Sequence, residues 1–302
     1  MKTMKSLLAL SLSLSLAIGT AASVLLAPVA SAGDGPEVKP SAAPIDPTDV
    51  ASLQRGAKLF VNYCLGCHSA QHMRYNRMVA DLHLTDKLVV DNLIQRGTFE
   101  RDGSYSMDKI GDTMRATLDR ADAKAAFGVI PPDLSVEARV RGVDWLYAYL
   151  RGFYRDDKAA TGWNNLAFPN VAMPNVLWEM SGPNRMVTKE FSTIEEAKGA
   201  MAQTHVVATL ETVHPIAGSE QAKSAGKHGA LYVLRYTEPE QPGTMTRGDY
   251  DRAVVDIVNF MAYIAEPAKL ERIRLGIKVL IFLAILFVFA YWAKREFWKD
   301  VH

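Results

Sequence analysis

The run Cys64-Leu65-Gly66-Cys67-His68 constrains this chain more than any other feature. It has the C-x-x-C-H form in which a c-type haem is attached. Two thiols three positions apart, at a helical turn, reach the two vinyl groups of one haem and form thioethers. His68 then lies over the iron and binds it through an imidazole nitrogen. These two cysteines are the chain's whole complement, so no thiol remains for a disulfide or a four-cysteine metal site. Two other chemistries use a C-x-x-C pair. A thioredoxin-like redox pair needs no following histidine and sits in a βαβ context, which the pattern here lacks. A zinc site needs a second ligand pair at short spacing, and His72, His83, His205, His214, His228 and His302 supply none.

The two ends indicate the compartment. Lys2 and Lys5 precede an apolar or small stretch from Leu7 to Leu26, and Ala30-Ser31-Ala32 fits an A-x-A cleavage site. Residues 1–32 therefore read as a secretory signal peptide. The competing reading is a permanent transmembrane helix; the alternating Leu-Ser run and the A-x-A end argue against it. Cleavage removes two lysines from a chain with 34 basic and 33 acidic side chains. The near-neutral product argues against a nucleic-acid partner. At the other end, Lys278 is the only charge from Leu275 to Ala293. With its flanks this run covers about 20 residues, enough to span a hydrocarbon core of about 30 Å. A single transmembrane helix is expected at 273–293, with a cytoplasmic tail at 294–302. Tyr291, Trp292 and Trp298 suit an interfacial belt, and Lys294, Arg295 and Lys299 suit the cytoplasmic end. Lys269, Arg272 and Arg274 make the other flank basic too, so the signal peptide, rather than charge bias, puts the bulk of the chain outside.

Between these ends the pattern predicts a polar leader at 33–47 and one domain at 48–268, with haem enlarging its core. Asp46 is expected to N-cap a helix with Pro47 at its first position. That helix carries Val50, Leu53, Ala57, Phe60 and Cys64 on one apolar face and delivers the haem motif at its end. Gly56 removes a side chain one turn before Phe60. Tyr250, Val254, Ile257, Met261 and Ile264 repeat on a second helix that Pro267 stops. The expectation is that the helices at 49–63 and 249–264 cross at Gly56. Trp145 to Leu150 reads as a buried aromatic helix, and 155–175 as loop. Thr193 with Glu196 forms a capping box for a helix near 194–203. His205–Val213 and Ala230–Thr237 are β-prone and suggest a hairpin.

A haem iron held by one histidine needs a second axial group or keeps an open position, and this choice separates electron transfer from ligand chemistry. Met173 stands out among the 12 methionines. Pro174 biases it towards extended backbone, so its thioether is presented from a loop. The residues alone leave a ligand role and a plain packing role both open.

Taken together, Cys64-Leu65-Gly66-Cys67-His68, Pro131-Pro132-Asp133-Leu134-Ser135, Arg139 and Arg141, Phe168-Pro169, Ala172-Met173-Pro174, Gly243-Thr244-Met245 and Ala265-Glu266-Pro267 occur in an order that resembles the cytochrome c1 family. The resemblance covers nearly the whole mature chain and looks like the proteobacterial type. It implies a mainly α, cytochrome c-like haem domain with a small inserted helix and β-hairpin segment at about 183–242, and one C-terminal transmembrane helix. It implies one covalent haem c, held by Cys64 and Cys67, with His68 and Met173 as axial iron ligands. No catalytic residue of its own is expected. The ligand loop is shorter than the mitochondrial pattern and has Asn170 where a glycine is usual.

The implied function is a membrane-anchored electron-transfer subunit of a quinol–cytochrome c reductase. A Rieske iron–sulfur subunit would be the donor, a cytochrome c the acceptor and cytochrome b a neighbour in a dimeric complex. The expected location is the bacterial inner membrane, with the haem domain on the periplasmic side. Two other classes share features with this chain. A tethered cytochrome c carrier or an oxidase haem subunit would keep the ligands and lack the Rieske partner. A di-haem peroxidase would need an open iron and a second C-x-x-C-H. Asp156, Asp157, Glu195 and Glu196 offer negative charge for a basic cytochrome c, or are simply solvated.

Overall fold

The structure is a computed structural model that describes residues 37–38, 42–99, 102–204, 207–214 and 230–299. The expected signal peptide, the leader residues 33–36 and 39–41, the first residues of the β-prone run (205–206) and the last residues of the expected tail (300–302) lie outside that set. The described chain is mainly helical with small sheets.

Two helices form its centre. The first, Val50–Tyr63, is capped by Asp49, whose carboxylate accepts from Ser52 N at 3.0 Å. The cap is therefore three residues later than the expected Asp46. Asp46 instead closes a turn, accepting from Thr48 N and Thr48 Oγ1 at 2.8 and 2.7 Å. The Pro47 ring sits in that turn, and Asp49 is left to satisfy the helix start. The second helix, Arg247–Ala265, is capped by Thr246 and buries one continuous face from Tyr250 to Ala265.

The two helices cross at Gly56, as the sequence predicts. A Cβ on Gly56 would overlap the carbonyl oxygen of Asp256 and lie 2.7 Å from Phe260 Cβ. One turn on, the Phe60 and Phe260 rings meet with centroids 5.4 Å apart. Ser52, Asp256 and the Asn259 amide nitrogen are paired at the crossing, while the buried Asn259 Oδ1 has no partner among the described residues. Asp256 accepts from Ser52 Oγ at 2.6 Å and from Arg55 Nε at 2.7 Å. Asn259 Nδ2 donates to Ser52 Oγ at 3.0 Å and to the Asp46 carbonyl at 2.7 Å.

The aromatic helix forms as Val143–Arg151 and buries Leu146, Tyr147, Ala148 and Leu150. Tyr250 Oη donates to the Leu150 carbonyl at 2.8 Å, and Arg151 pairs with Asp251 at 2.7 Å, so its C-terminal end is pinned to the second central helix. Within the expected loop at 155–175, Trp163–Asn165 pairs antiparallel with Phe153–Arg155.

The inserted segment folds as a helix on an antiparallel sheet. Thr193 caps the helix Ile194–Gln203, accepting from Glu196 N at 3.4 Å. Ala208–Val213 pairs with Leu231–Pro239, giving the expected strand pair. Asn184–Phe191 adds a third strand, and Glu37–Val38 adds a short fourth on the opposite edge. Neither addition is evident in sequence, because the first is mostly polar and exposed and the second is only two residues long. Asp156 has a local task, accepting from Asn164 Nδ2 at 2.9 Å, and Glu195 and Glu196 lie in a helix first turn where negative charge is favoured.

The last helix runs Lys269–Phe297. Its segment Leu275–Phe297, 23 residues, is long and apolar enough to cross a membrane, and none of it is buried by the rest of the chain.

The crossing predicts a steep size limit at Gly56. Gly56→Ala is expected to cost about 1–3 kcal/mol through overpacking, read as a lower unfolding midpoint. Gly56→Leu is expected to abolish accumulation of haem-stained protein in membranes; normal maturation of that variant would refute the tight crossing.

Candidate haem site

The motif follows directly from the first central helix. Cys64 N and Leu65 N both donate to the Phe60 carbonyl, at 2.9 and 3.0 Å, and Cys67 N and His68 N both donate to the Cys64 carbonyl, at 3.1 and 2.8 Å. The chain thus keeps turning through the motif. Cys64 is buried and Cys67 exposed. Burial, with the second thiol nearby, pushes the Cys64 thiol up to about 12.

The Pro131–Ser135 segment is bound to the residues that follow the motif. Leu134 N donates to the Ser69 carbonyl at 2.7 Å. Asp133 Oδ2 accepts from Gln71 N at 3.1 Å, and Ser135 Oγ accepts from His72 N at 3.1 Å. This clamp brings the Pro132 carbonyl to 2.8 Å from His68 Nδ1. A carbonyl only accepts, so Nδ1 carries the proton and Nε2 keeps a free lone pair for a metal. Desolvation lowers the His68 pKa, with the Pro132 bond opposing it, and so favours the neutral ring that ligation needs.

Cys64, Cys67 and His68 line one cleft of about 430 Å³ together with Met173. Its walls come from Val129 to Pro132 with Leu134, from Trp145, Leu146, Tyr149 and Leu150 of the aromatic helix, from Phe168 and Asn170 to Pro174, and from Ile257 and Met261 of the second central helix. Met261 is a second methionine on the cleft, but it is a core residue fixed within a helix. Met173 is half-buried on a loop, and its Sδ accepts from Tyr149 Oη at 3.4 Å.

That loop is held by two buried asparagines. Asn165 Nδ2 donates to the Tyr149 carbonyl at 2.8 Å, while its Oδ1 accepts from Ala167 N at 2.8 Å. Asn164 Oδ1 accepts from Asn170 N at 2.8 Å. Asn170 has φ of 60°. This left-handed conformation explains an asparagine where a glycine is usual, since asparagine tolerates it best among residues with a Cβ.

The sequence singles out all four candidate residues, and they share this cleft. It does not single out Tyr149, Asn164 or Asn165, nor the use of the Pro132 carbonyl. Of the two arginines ahead of the aromatic helix, Arg141 lines the cleft and lies 4.9 Å from the Trp145 ring. Arg139 instead faces Glu266 at 4.0 Å. The donor set fits a c-type haem: two thiols beside a neutral imidazole, a thioether on the same cleft, and largely apolar walls between them.

The sequence profile of the Cytochrome C1 family matches residues 40–210 and 243–301. The chain belongs to the cytochrome c1 family. It is 39% identical over 279 residues to cytochrome c1 of Allochromatium vinosum, covering 92% of this chain and 96% of that one. It is 40% identical over 279 residues, with the same coverage, to a Nitrosomonas europaea protein named ammonia monooxygenase gamma subunit. It is 24% identical over 275 residues to mitochondrial cytochrome c1 of Saccharomyces cerevisiae, covering 85% of this chain and 70% of that one. The two matched stretches leave 211–242 between them. Cytochromes c1 carry covalently bound haem c, and haem c is the cofactor of this electron-transport protein.

The left-handed backbone at Asn170 yields a sharp expectation. Asn170→Gly should be neutral or nearly so. Asn170→Val should cost about 1–2 kcal/mol, seen as a lower unfolding midpoint of the haem-loaded protein.

Proposed function

We propose that this chain is the monohaem electron-transfer subunit of a quinol–cytochrome c reductase, the cytochrome bc1 complex. It takes electrons one at a time from a Rieske iron–sulfur subunit and passes them to a cytochrome c. The observation that carries this reading is the single cleft lined by Cys64, Cys67, His68 and Met173. Cys64 and Cys67 form the thioethers. His68 would bind the haem iron through Nε2, its ring held by the Pro132 carbonyl. Met173 would bind the iron through its sulfur, from the loop that Asn164 and Asn165 hold. The bound haem supplies a one-electron ferric–ferrous couple whose potential a thioether ligand raises. With His68 and Met173 both bound to the iron, small-molecule ligands would be excluded, and the chain's residues would act by orienting and insulating. The polypeptide is thus a redox subunit, with no catalytic residue of its own.

Residues 1–32 act as the signal peptide and 48–268 as a periplasmic haem domain. The helix at 273–293 is the single span of the bacterial inner membrane, leaving 294–302 in the cytoplasm. Cytochrome b is a further partner, within a dimeric complex. The exposed Cys67 leaves an edge of the cleft near the surface, as transfer to a soluble acceptor requires.

Purification through a C-terminal tag from gently solubilised native membranes should bring a b-type haem and a Rieske signal with this chain, and quinol-dependent reduction of cytochrome c. Isolation alone, or with an oxidase, would exclude the reductase. Met173→Leu should lower the midpoint potential and open the reduced protein to carbon monoxide. An unchanged potential and low-spin spectrum would remove Met173 from the iron.

A further inference from the structure

We infer that the Tyr149 hydroxyl is a positioning and tuning group for the sulfur of Met173, setting how strongly that thioether donates to iron. The inference rests on the reading of Met173 as an axial ligand and adds a residue to it.

The geometry is that of a built contact. Tyr149 Oη lies 3.4 Å from Met173 Sδ and is the donor, since a thioether has no proton to give. The ring is fixed on two sides: it stacks on Trp145 with centroids 5.0 Å apart and 13° between planes, and meets Phe153 edge-on at 5.2 Å. The backbone is fixed as well, because Asn165 links the Tyr149 carbonyl to the start of the methionine loop. One asparagine therefore ties together the donor's helix and the acceptor's loop.

The chemical consequence has a definite sign. A thioether sulfur has two lone pairs, one for the metal and one for a hydrogen bond. Donation by Tyr149 withdraws density from the sulfur. Ferric iron, the more electron-poor state, depends more on that density than ferrous iron. The hydroxyl therefore destabilises the ferric state relative to the ferrous state and raises the potential. It also makes the ferric iron–sulfur bond easier to displace. A tyrosine that merely packs would have neither effect. One that only holds the loop in place would do the reverse on displacement, since its loss would loosen Met173.

The test uses the full chain in its native membranes. Tyr149→Phe keeps the ring contacts and removes the donor. The expected result is retention of the sulfur-to-iron charge-transfer band, with a several-fold shift of the ferric–ferrous equilibrium towards ferric. A tenfold shift would correspond to 59 mV for one electron. Imidazole should displace Met173 from the ferric protein less readily than in the unaltered chain. A ring-fluorinated tyrosine at 149, a stronger donor of nearly the same shape, should move both readings the other way and serves if the phenylalanine variant does not mature. An unchanged potential, or easier displacement in Tyr149→Phe with the band intact, would overturn the tuning role and leave Met173 as ligand. Absence of the band from the unaltered protein would overturn the ligand reading, and the tuning role with it.

Discussion

The close crossing of the helices Val50–Tyr63 and Arg247–Ala265 is the constraint on which the rest of the molecule depends. Gly56 lets one backbone approach the other so nearly that a single methyl group would not fit. Once that contact is made, the first helix can neither rotate nor slide without driving Phe60 into Phe260. The next turn carries the haem motif, and its amides are bonded back to Phe60 and Cys64. The direction in which Cys64, Cys67 and His68 project is therefore decided some ten residues earlier, by packing. The paired network of Ser52, Arg55, Asp256 and Asn259 adds selectivity more than energy. Its one buried charge, Asp256, is partnered by Ser52 and by the exposed Arg55, and removing those partners would leave that carboxylate unpaired within the crossing.

From that fixed point the cleft is built outward by backbone carbonyls and small polar side chains. The Pro131–Ser135 segment has no helix or strand of its own. Its position comes from bonds to Ser69, Gln71 and His72, immediately after the motif. The motif thus organises the wall that in turn orients its own histidine through Pro132. The opposite side repeats the device, with Asn164 and Asn165 tying the methionine loop to the aromatic helix. Two irregular loops thus have their buried polar side chains Ser135, Asn164 and Asn165 paired.

This division explains what could be read in advance. The C-x-x-C-H run, the apolar stripes of both central helices, the small residue between them and the capping box at Thr193 are local patterns with a fixed period or spacing. Each appeared where its pattern lies. The four candidate residues share one cleft: three come from one motif, while the place before a proline marked Met173 only as a loop methionine, and its candidacy as a ligand came with the family resemblance. Contacts that join distant segments were not legible. Nothing in the Pro131–Ser135 run says that a carbonyl rather than a side chain does the work. Nothing in the pair Asn164-Asn165 says which backbone groups it will meet. Tyr149 reads as one more aromatic on a buried helix until its neighbour across the cleft is known. The cap at Asp49 was displaced from Asp46 because two carboxylates competed for it, and the prolyl turn decided between them.

The junction with the apolar C-terminal helix follows a different balance. Only Glu266, Pro267 and Ala268 separate the second central helix from the one that begins at Lys269. Glu266 faces Arg272 of the new helix at 2.6 Å and Arg139 of the short helix Glu137–Val140 at 4.0 Å. Both arginines are well exposed, so each pair contributes about 0–1 kcal/mol, too little to lock a hinge. The stronger restraint is covalent. Pro267 interrupts the helix within one turn, and the capping bonds from Glu266 N to Tyr263 and from Lys269 N to Glu266 leave little slack. A stiff, short joint limits how far the haem domain can swing from the apolar helix, while the ion pairs bias its direction. Packing thus fixes the direction of the candidate site residues, and brevity fixes the direction in which the apolar helix leaves the second central helix.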